Sequence, residues 1–175
     1  DAAITLQCIS GYDPLDPASA NQPVPDYRAD LGKGVAGLRV GILSSFYKGA
    51  EGLSDESAAA IEAAAATFRS LGAEVEEVAA VSPYADYNNC EEVNTGLFSR
   101  YDILLAPSSL SPAPLIDAPQ KSFPVSWPMQ TLPFNVTGNP AMSIPVGFSK
   151  SGLPLSMQIV GKYFDEATVF RAGQA

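Results

Sequence analysis

Residues 132–161 read LPFNVTGNPAMSIPVGFSKSGLPLSMQIVG, and this stretch decides the fold. Its opening, Phe134-Asn135-Val136-Thr137-Gly138-Asn139-Pro140-Ala141, has the vocabulary of a buried turn, because Asn, Gly and Pro each supply a turn conformation or a local cap. The apolar run over 142–148 predicts a strand, Gly152-Leu153-Pro154 turns the chain, and residues 155–161 return as a second strand. Gln158 sits in the middle of that otherwise apolar return strand. Burying an unpaired amide costs on the order of a few kcal/mol. Gln158 is therefore expected either to satisfy local backbone or to face a ligand.

Outward from this stretch the pattern is α/β. Asp102-Ile103-Leu104-Leu105-Ala106, ended by Pro107, and Leu38-Arg39-Val40-Gly41-Ile42-Leu43 both read as buried strands. Between them lies the clearest helix. Ser54 is a good N-cap, Asp55 and Glu56 suit the positive end of the helix dipole, and Gly72 stands where a C′ residue belongs. Ile61, Ala64, Ala65, Phe68 and Leu71 make one apolar stripe at helical spacing. Residues 73–81 read as a second strand, so 38–81 form a βαβ unit with parallel strands and a right-handed crossover. Residues 1–37 read as a connecting arm: a short helical end or strand at 4–9, two Asp-Pro turns, and a proline-rich extended piece. Residues 84–99 are polar and weakly helical, 108–128 are proline-rich without periodicity, and a last amphipathic helix starts near Asp165 with Val169 and Phe170 inward. The division expected is one domain over 1–175, with the arm, the βαβ unit and C-terminal strands plus helix over 101–175.

Composition removes several function classes. The chain has 175 residues, enough for one real core, with 46% apolar and 17% charged residues. The net charge of −9 and the lack of any Lys/Arg cluster argue against direct nucleic-acid contact. No apolar run approaches the roughly 20 residues of a membrane span. Cys8 and Cys90 are too few for a disulfide framework, and their surroundings suggest one buried thiol and one loop thiol in a reducing, cytoplasmic setting. The opening Asp1-Ala2-Ala3-Ile4 has neither a secretory pattern nor an initiator Met, so the chain is expected to start inside something longer. There is no histidine, which removes Ser-His-Asp and Cys-His catalysis and histidine-containing zinc sites.

The short motifs are weak in context. Gly32-Lys33-Gly34-Val35-Ala36-Gly37 fits G-x-G-x-x-G, but a loop precedes it and a strand follows, the reverse of a dinucleotide site. Ser45-Phe46-Tyr47-Lys48 fits S-x-x-K without a companion S-D-N or K-T-G, and reads as a solvated loop. Asn135-Val136-Thr137 is a formal sequon that reads better as a turn. Asp13, Asp16, Asp26 and Asp30 lack the spacing and closing Glu of a calcium loop. No metal or organic cofactor site emerges, and no self-sufficient nucleophile–base pair.

Four blocks in order carry a family resemblance: Gly11-Tyr12-Asp13-Pro14-Leu15-Asp16-Pro17; residues 35–42, VAGLRVGI; residues 101–108, YDILLAPS; and residues 134–141 through Gly152-Leu153-Pro154-Leu155-Ser156-Met157-Gln158 to Asp165-Glu166-Ala167-Thr168. Together they resemble the C-terminal half of the amidase signature family, which includes stand-alone amidases and the A subunit of the glutamyl-tRNA(Gln) amidotransferase. The resemblance implies a mixed β-sheet with flanking helices, a partial amidase-signature-type fold. It also implies cofactor-free hydrolysis of carboxamide C–N bonds by a serine nucleophile, a bridging serine and a lysine base, a scheme that needs no histidine. The segment carrying those three residues belongs before Gly11, where nothing in this chain resembles it, so no catalytic residue is assigned and the chain alone is expected to be inactive. The family's longer insertion is replaced here by the short connector 82–100, and Ser156 stands where the family usually has glycine. By the same resemblance, Asn135, Thr137, Gly138 and Pro140 match the turn beneath the substrate site, Gln158 matches a strand glutamine, and Trp127 and Met129 fall where members vary with substrate. Packing and turn geometry alone account for these residue types equally well. The partners implied are a small amide substrate and a second chain or a second copy. The alternatives are a non-catalytic, partner-dependent half domain and a tRNA-dependent amidotransferase A subunit.

Overall fold

Parallel and antiparallel strands meet in one mixed sheet. The computed structural model describes residues 1–78, 96–115 and 130–175. Among these, β1 (Arg39–Leu43), β2 (Glu74–Val78), β3 (Ile103–Pro107), β4 (Ala141–Phe148) and β5 (Pro154–Gly161) lie side by side in the order β2-β1-β3-β5-β4. β1 pairs in parallel with both β2 and β3, while β5 runs antiparallel to β3 and β4. The helices are α1 (Ala2–Ile9), α2 (Asp55–Ser70), α3 (Phe98–Arg100), α4 (Leu132–Thr137) and α5 (Glu166–Gln174).

The βαβ portion follows its sequence signals. The Ser57 amide donates to the Ser54 side chain at 3.0 Å, satisfying one orphan donor at the start of α2. Gly72, at φ +90°, turns the chain out of the helix in the left-handed region that glycine tolerates. Ile61, Ala65 and Phe68 are buried against Val40, Ile42, Ile103 and Leu105. Leu71 departs from the expected stripe: the helix ends at Ser70, and Leu71, as its C-cap, is exposed. Gly41 lets β1 approach its neighbours, since a Cβ there would lie 2.9 Å from the Leu104 side chain and 3.0 Å from that of Val78.

Two apolar layers sandwich the sheet. α2 and α5 cover one face, where Val169 and Ala172 join Met157 and Ile159. On the other face Leu104, Ala106 and Val160 lie beneath Phe98 and Phe134, and the Phe46 and Phe134 rings stack with centroids 6.0 Å apart. Asp165 caps α5 by accepting from the Thr168 amide at 3.3 Å. Phe170 is half-buried rather than inward, its ring edge-on to Tyr27.

Three expectations change. The piece read as a turn at 132–137 is the helix α4, started with Pro133 in its first turn and stopped by Gly138 in the left-handed conformation. The run at 142–148 is a strand, but β4 forms the sheet's margin among the described residues and its side chains are exposed or half-buried throughout. Cys8 is exposed, because α1 buries Ala3 alone. Cys90 lies outside the described residues, as does most of the weakly helical stretch 84–99. Among the described residues no helix is long and apolar enough to cross a membrane.

Candidate functional site

The site grows from β5. Gln158 is 2% exposed and shares a cross-strand row with Ala106 of β3 and Ser143 of β4, so the three side chains lie on the face opposite α2. Its Nε2 donates to the main-chain carbonyls of Pro107 at 3.2 Å and Gln130 at 2.7 Å. Two carbonyl neighbours fix which end of the amide carries nitrogen. One side chain thus ties the end of β3 to the turn leading into α4. The other end, Oε1, is buried without a hydrogen-bond partner among the described residues.

The α4 exit is held in a similar way. Asn139 Nδ2 donates to the Gly161 carbonyl at 2.9 Å, and the Gly161 amide donates to the Pro140 carbonyl at 2.9 Å. Thr137 is buried, with its hydroxyl unpartnered among the described residues. Asn135 and Gly138 are exposed and Pro140 is half-buried. The structure therefore brings Thr137, Gly138 and Pro140 to one corner of the sheet and Gln158 to its middle, whereas Asn135 faces solvent. Trp127 and Met129 lie outside the described residues.

Sequence reading missed a hydroxyl pair. Ser108 Oγ lies 2.7 Å from Ser143 Oγ, bridging β3's exit to β4 across β5 above the row that holds Gln158. Residues 35 apart leave no local signal, and the Ser143 side of the register becomes readable only once β4 and β5 are paired. Gln130, only 2% exposed, was missed for the same reason.

The titratable groups lie elsewhere. Lys48 of the S-x-x-K match donates to Glu77 at 2.7 Å and pairs with Glu62 at 3.2 Å, and these carboxylates, Glu77 foremost, raise its pKa. A lysine base needs the opposite shift. Burial pushes the Tyr47 phenol up to about 12, with Glu62 adding to the shift. At the far end of the sheet Asp102 accepts from Arg39 Nη2 at 2.8 Å and Lys162 Nζ at 3.1 Å. The Arg39 guanidinium, followed by Lys162, holds this carboxyl well below the usual carboxylate range. This cluster staples β1 to the starts of β3 and of the segment after β5. The G-x-G-x-x-G glycines occupy the loop before β1, as their context predicted. Among the described residues no group of three or more His, Cys, Asp or Glu side chains is placed to hold a metal ion.

Comparison with known proteins agrees with this architecture. A family profile described as Amidase matches residues 1–88 and 83–170. The glutamyl-tRNA(Gln) amidotransferase A subunit of Geobacter sp. strain M21 is 28% identical over 255 aligned positions, which take in 98% of this chain and 51% of that protein. The crystal structure of the corresponding A subunit from Thermotoga maritima superposes with a TM-score of 0.81 at 23% identity, over 98% of this chain and 49% of that one. A bacterial aryl acylamidase of the amidase signature enzymes gives 0.78 at 23% identity, over 99% of this chain and 50% of that one. The chain spans about half the length of the curated relatives it matches. With 255 aligned positions against 175 residues, the Geobacter relative holds residues inside the matched span that this chain lacks. The two profile matches meet at 83–88, inside the connector expected to be short.

Proposed function

The chain belongs to the amidase family, and from that premise we propose that it forms the substrate-side half of a hydrolase site that cleaves carboxamide C–N bonds. In the reaction, water adds across the amide: the carbonyl carbon gains oxygen and leaves as a carboxylic acid, while the nitrogen takes the proton and departs as ammonia or an amine. The nucleophilic serine, the bridging serine and the lysine base come from the part of the family that this chain does not match. This chain supplies the wall and floor. Gln158 holds the β3 exit and the Gln130 turn at fixed spacing, and Thr137, Gly138 and Pro140 shape the corner beside them. Asn135 borders that corner from the exposed face of α4.

The observation that carries this reading is the family match over nearly the whole chain, joined to a Gln158 amide anchored at one end and buried without a partner among the described residues at the other. A rigidly held group of this kind positions a substrate with little loss of side-chain entropy on binding. The named amidotransferase relatives favour a second reading, in which the same half site serves an enzyme that passes its released ammonia to a partner.

Ammonia release from glutamine and from simple carboxamides tests the reading. The chain alone gives no turnover. Co-expressed with the unmatched half of the Geobacter relative, it gives amide-dependent ammonia release that is lost with the nucleophile serine of that half. Turnover by the chain alone contradicts the assignment.

A further inference from the structure

The last turn of α5 carries a glycine, Gly173, at a position where alanine would favour the helix. The reason lies across the interface, on β4. A Cβ on Gly173 would overlap the Met142 Cε methyl, and would stand 3.5 Å from the Met142 Sδ and 3.7 Å from Ile144 Cγ2. The missing side chain leaves a notch on the helix, and the Met142 thioether fills it. An unbranched, polarizable side chain suits a gap of this shape. Met142 packs against the apolar layer between α2, α5 and the sheet, yet it is only half-buried. Beside it a groove of about 230 Å³ opens between α2 and α5, lined by Ala64, Ile144, Val146, Ala172 and Gly173. A small solute therefore has a way to the sulfur. Of the chain's three methionines, Met157 is 0% exposed and Met129 lies outside the described residues.

We propose that Met142 is a reversible oxidation site that latches the end of α5 to β4. Hydrogen peroxide is the oxidant. The Met142 sulfur attacks one peroxide oxygen and the O–O bond breaks. The sulfur keeps that oxygen as a sulfoxide, and the other oxygen leaves as water with the proton of the transferred one. The sulfur is oxidised and the peroxide reduced, so no further reactant is needed. The product is larger, polar and chiral at sulfur. Its oxygen must either sit unpaired between Gly173 and Ile144 or draw the side chain out of the notch into water. In both cases the last turn of α5 loses the contact that closes it on β4. The preceding turn keeps its own anchors: Val169 in the core, the Phe170 ring against Tyr27, and Arg171 Nε donating to the Gly34 carbonyl. Release is therefore confined to the end of the helix, and it is independent of whether the chain takes part in amide hydrolysis.

Peptide mass mapping and NMR of the folded 175-residue chain, before and after dilute hydrogen peroxide, test this. Met142 gains one oxygen at least about tenfold faster than the buried Met157. In the reduced chain the Met142 methyl protons give a nuclear Overhauser effect to the Gly173 α protons. Oxidation abolishes that effect, and methionine sulfoxide reductase restores it together with the original mass. Met142→Leu keeps an apolar side chain in the notch without a sulfur, so its Gly173 signals stay in place under the same peroxide treatment. A Met142 that stays reduced while Met157 is oxidised overturns the proposal. So does a Met142 sulfoxide that keeps its contact with Gly173, or a Met142→Leu chain whose Gly173 signals move as far as those of wild type.

Discussion

The βαβ unit and the α4–β4–β5 region use opposite means to hold a strand in place. In the first, α2 lays Ile61, Ala65 and Phe68 on β1 and β3, its cap is satisfied, and the charges of Lys48, Glu62 and Glu77 pair at the surface. In the second, the fixing groups are amides: Gln158 on two carbonyls and Asn139 on a third. Among the described residues that region also keeps buried oxygens of Gln158 and Thr137 unpartnered and leaves β4 at the margin of the sheet. The first region is finished by its own sequence and supplies stability. The second is the region proposed above to form the substrate-side wall.

Substitutions sharpen this contrast in order of size. Phe68→Ala removes a buried ring from beneath α2 and costs about 3–5 kcal/mol in urea unfolding, the largest effect foreseen. Gln158→Met keeps the volume but strips two buried carbonyls of their donor, while relieving the unpartnered Oε1; the net cost is about 1–3 kcal/mol. A Gln158→Met loss equal to that of Phe68→Ala would erase the distinction between the two regions.

Asp102→Asn comes next, at about 1–2 kcal/mol near neutral pH once solvent screening is allowed for. Its pH dependence carries the sign. The folded-state pKa is depressed by Arg39 and then Lys162, so the carboxylate's contribution is complete above its unfolded value of about 3.9 and is lost as pH falls through the folded one. Melting temperatures of wild type and Asp102→Asn therefore converge on acidification below about pH 4. A gap that stays constant across that range removes the ion cluster from the account. Ser54→Ala, at about 1 kcal/mol, is the smallest and reports on the cap of α2 alone.

The same contrast explains what was legible in the sequence. β1, α2 and β2 were readable because the cap at Ser54, the helical stripe and the stop at Gly72 are local signals. Leu71 failed because a stripe extrapolated one residue past the helix end no longer points inward. Leu132–Thr137 read as a turn since Asn, Gly and Pro dominate it, yet Pro133 at the start and Gly138 at the end bracket a helix. Gln158 stood out as a lone amide, and its anchoring to backbone was one of the two outcomes foreseen. Its partners, Pro107 and Gln130, and the contact of Ser108 with Ser143 depend on strand pairing across more than 25 residues, which composition and period do not encode.

The central claim is that these residues shape an amide-hydrolase site without supplying its nucleophile. Intact-mass analysis after exposure to a fluorophosphonate, which forms a covalent adduct with an activated serine, tests it most directly. The folded 175-residue chain is predicted to remain unmodified at Ser45, Ser108 and Ser143, since Lys48 is held by Glu77 and Glu62 and the Ser108 and Ser143 hydroxyls are bonded to each other. A stoichiometric adduct on any of these three serines would contradict the account.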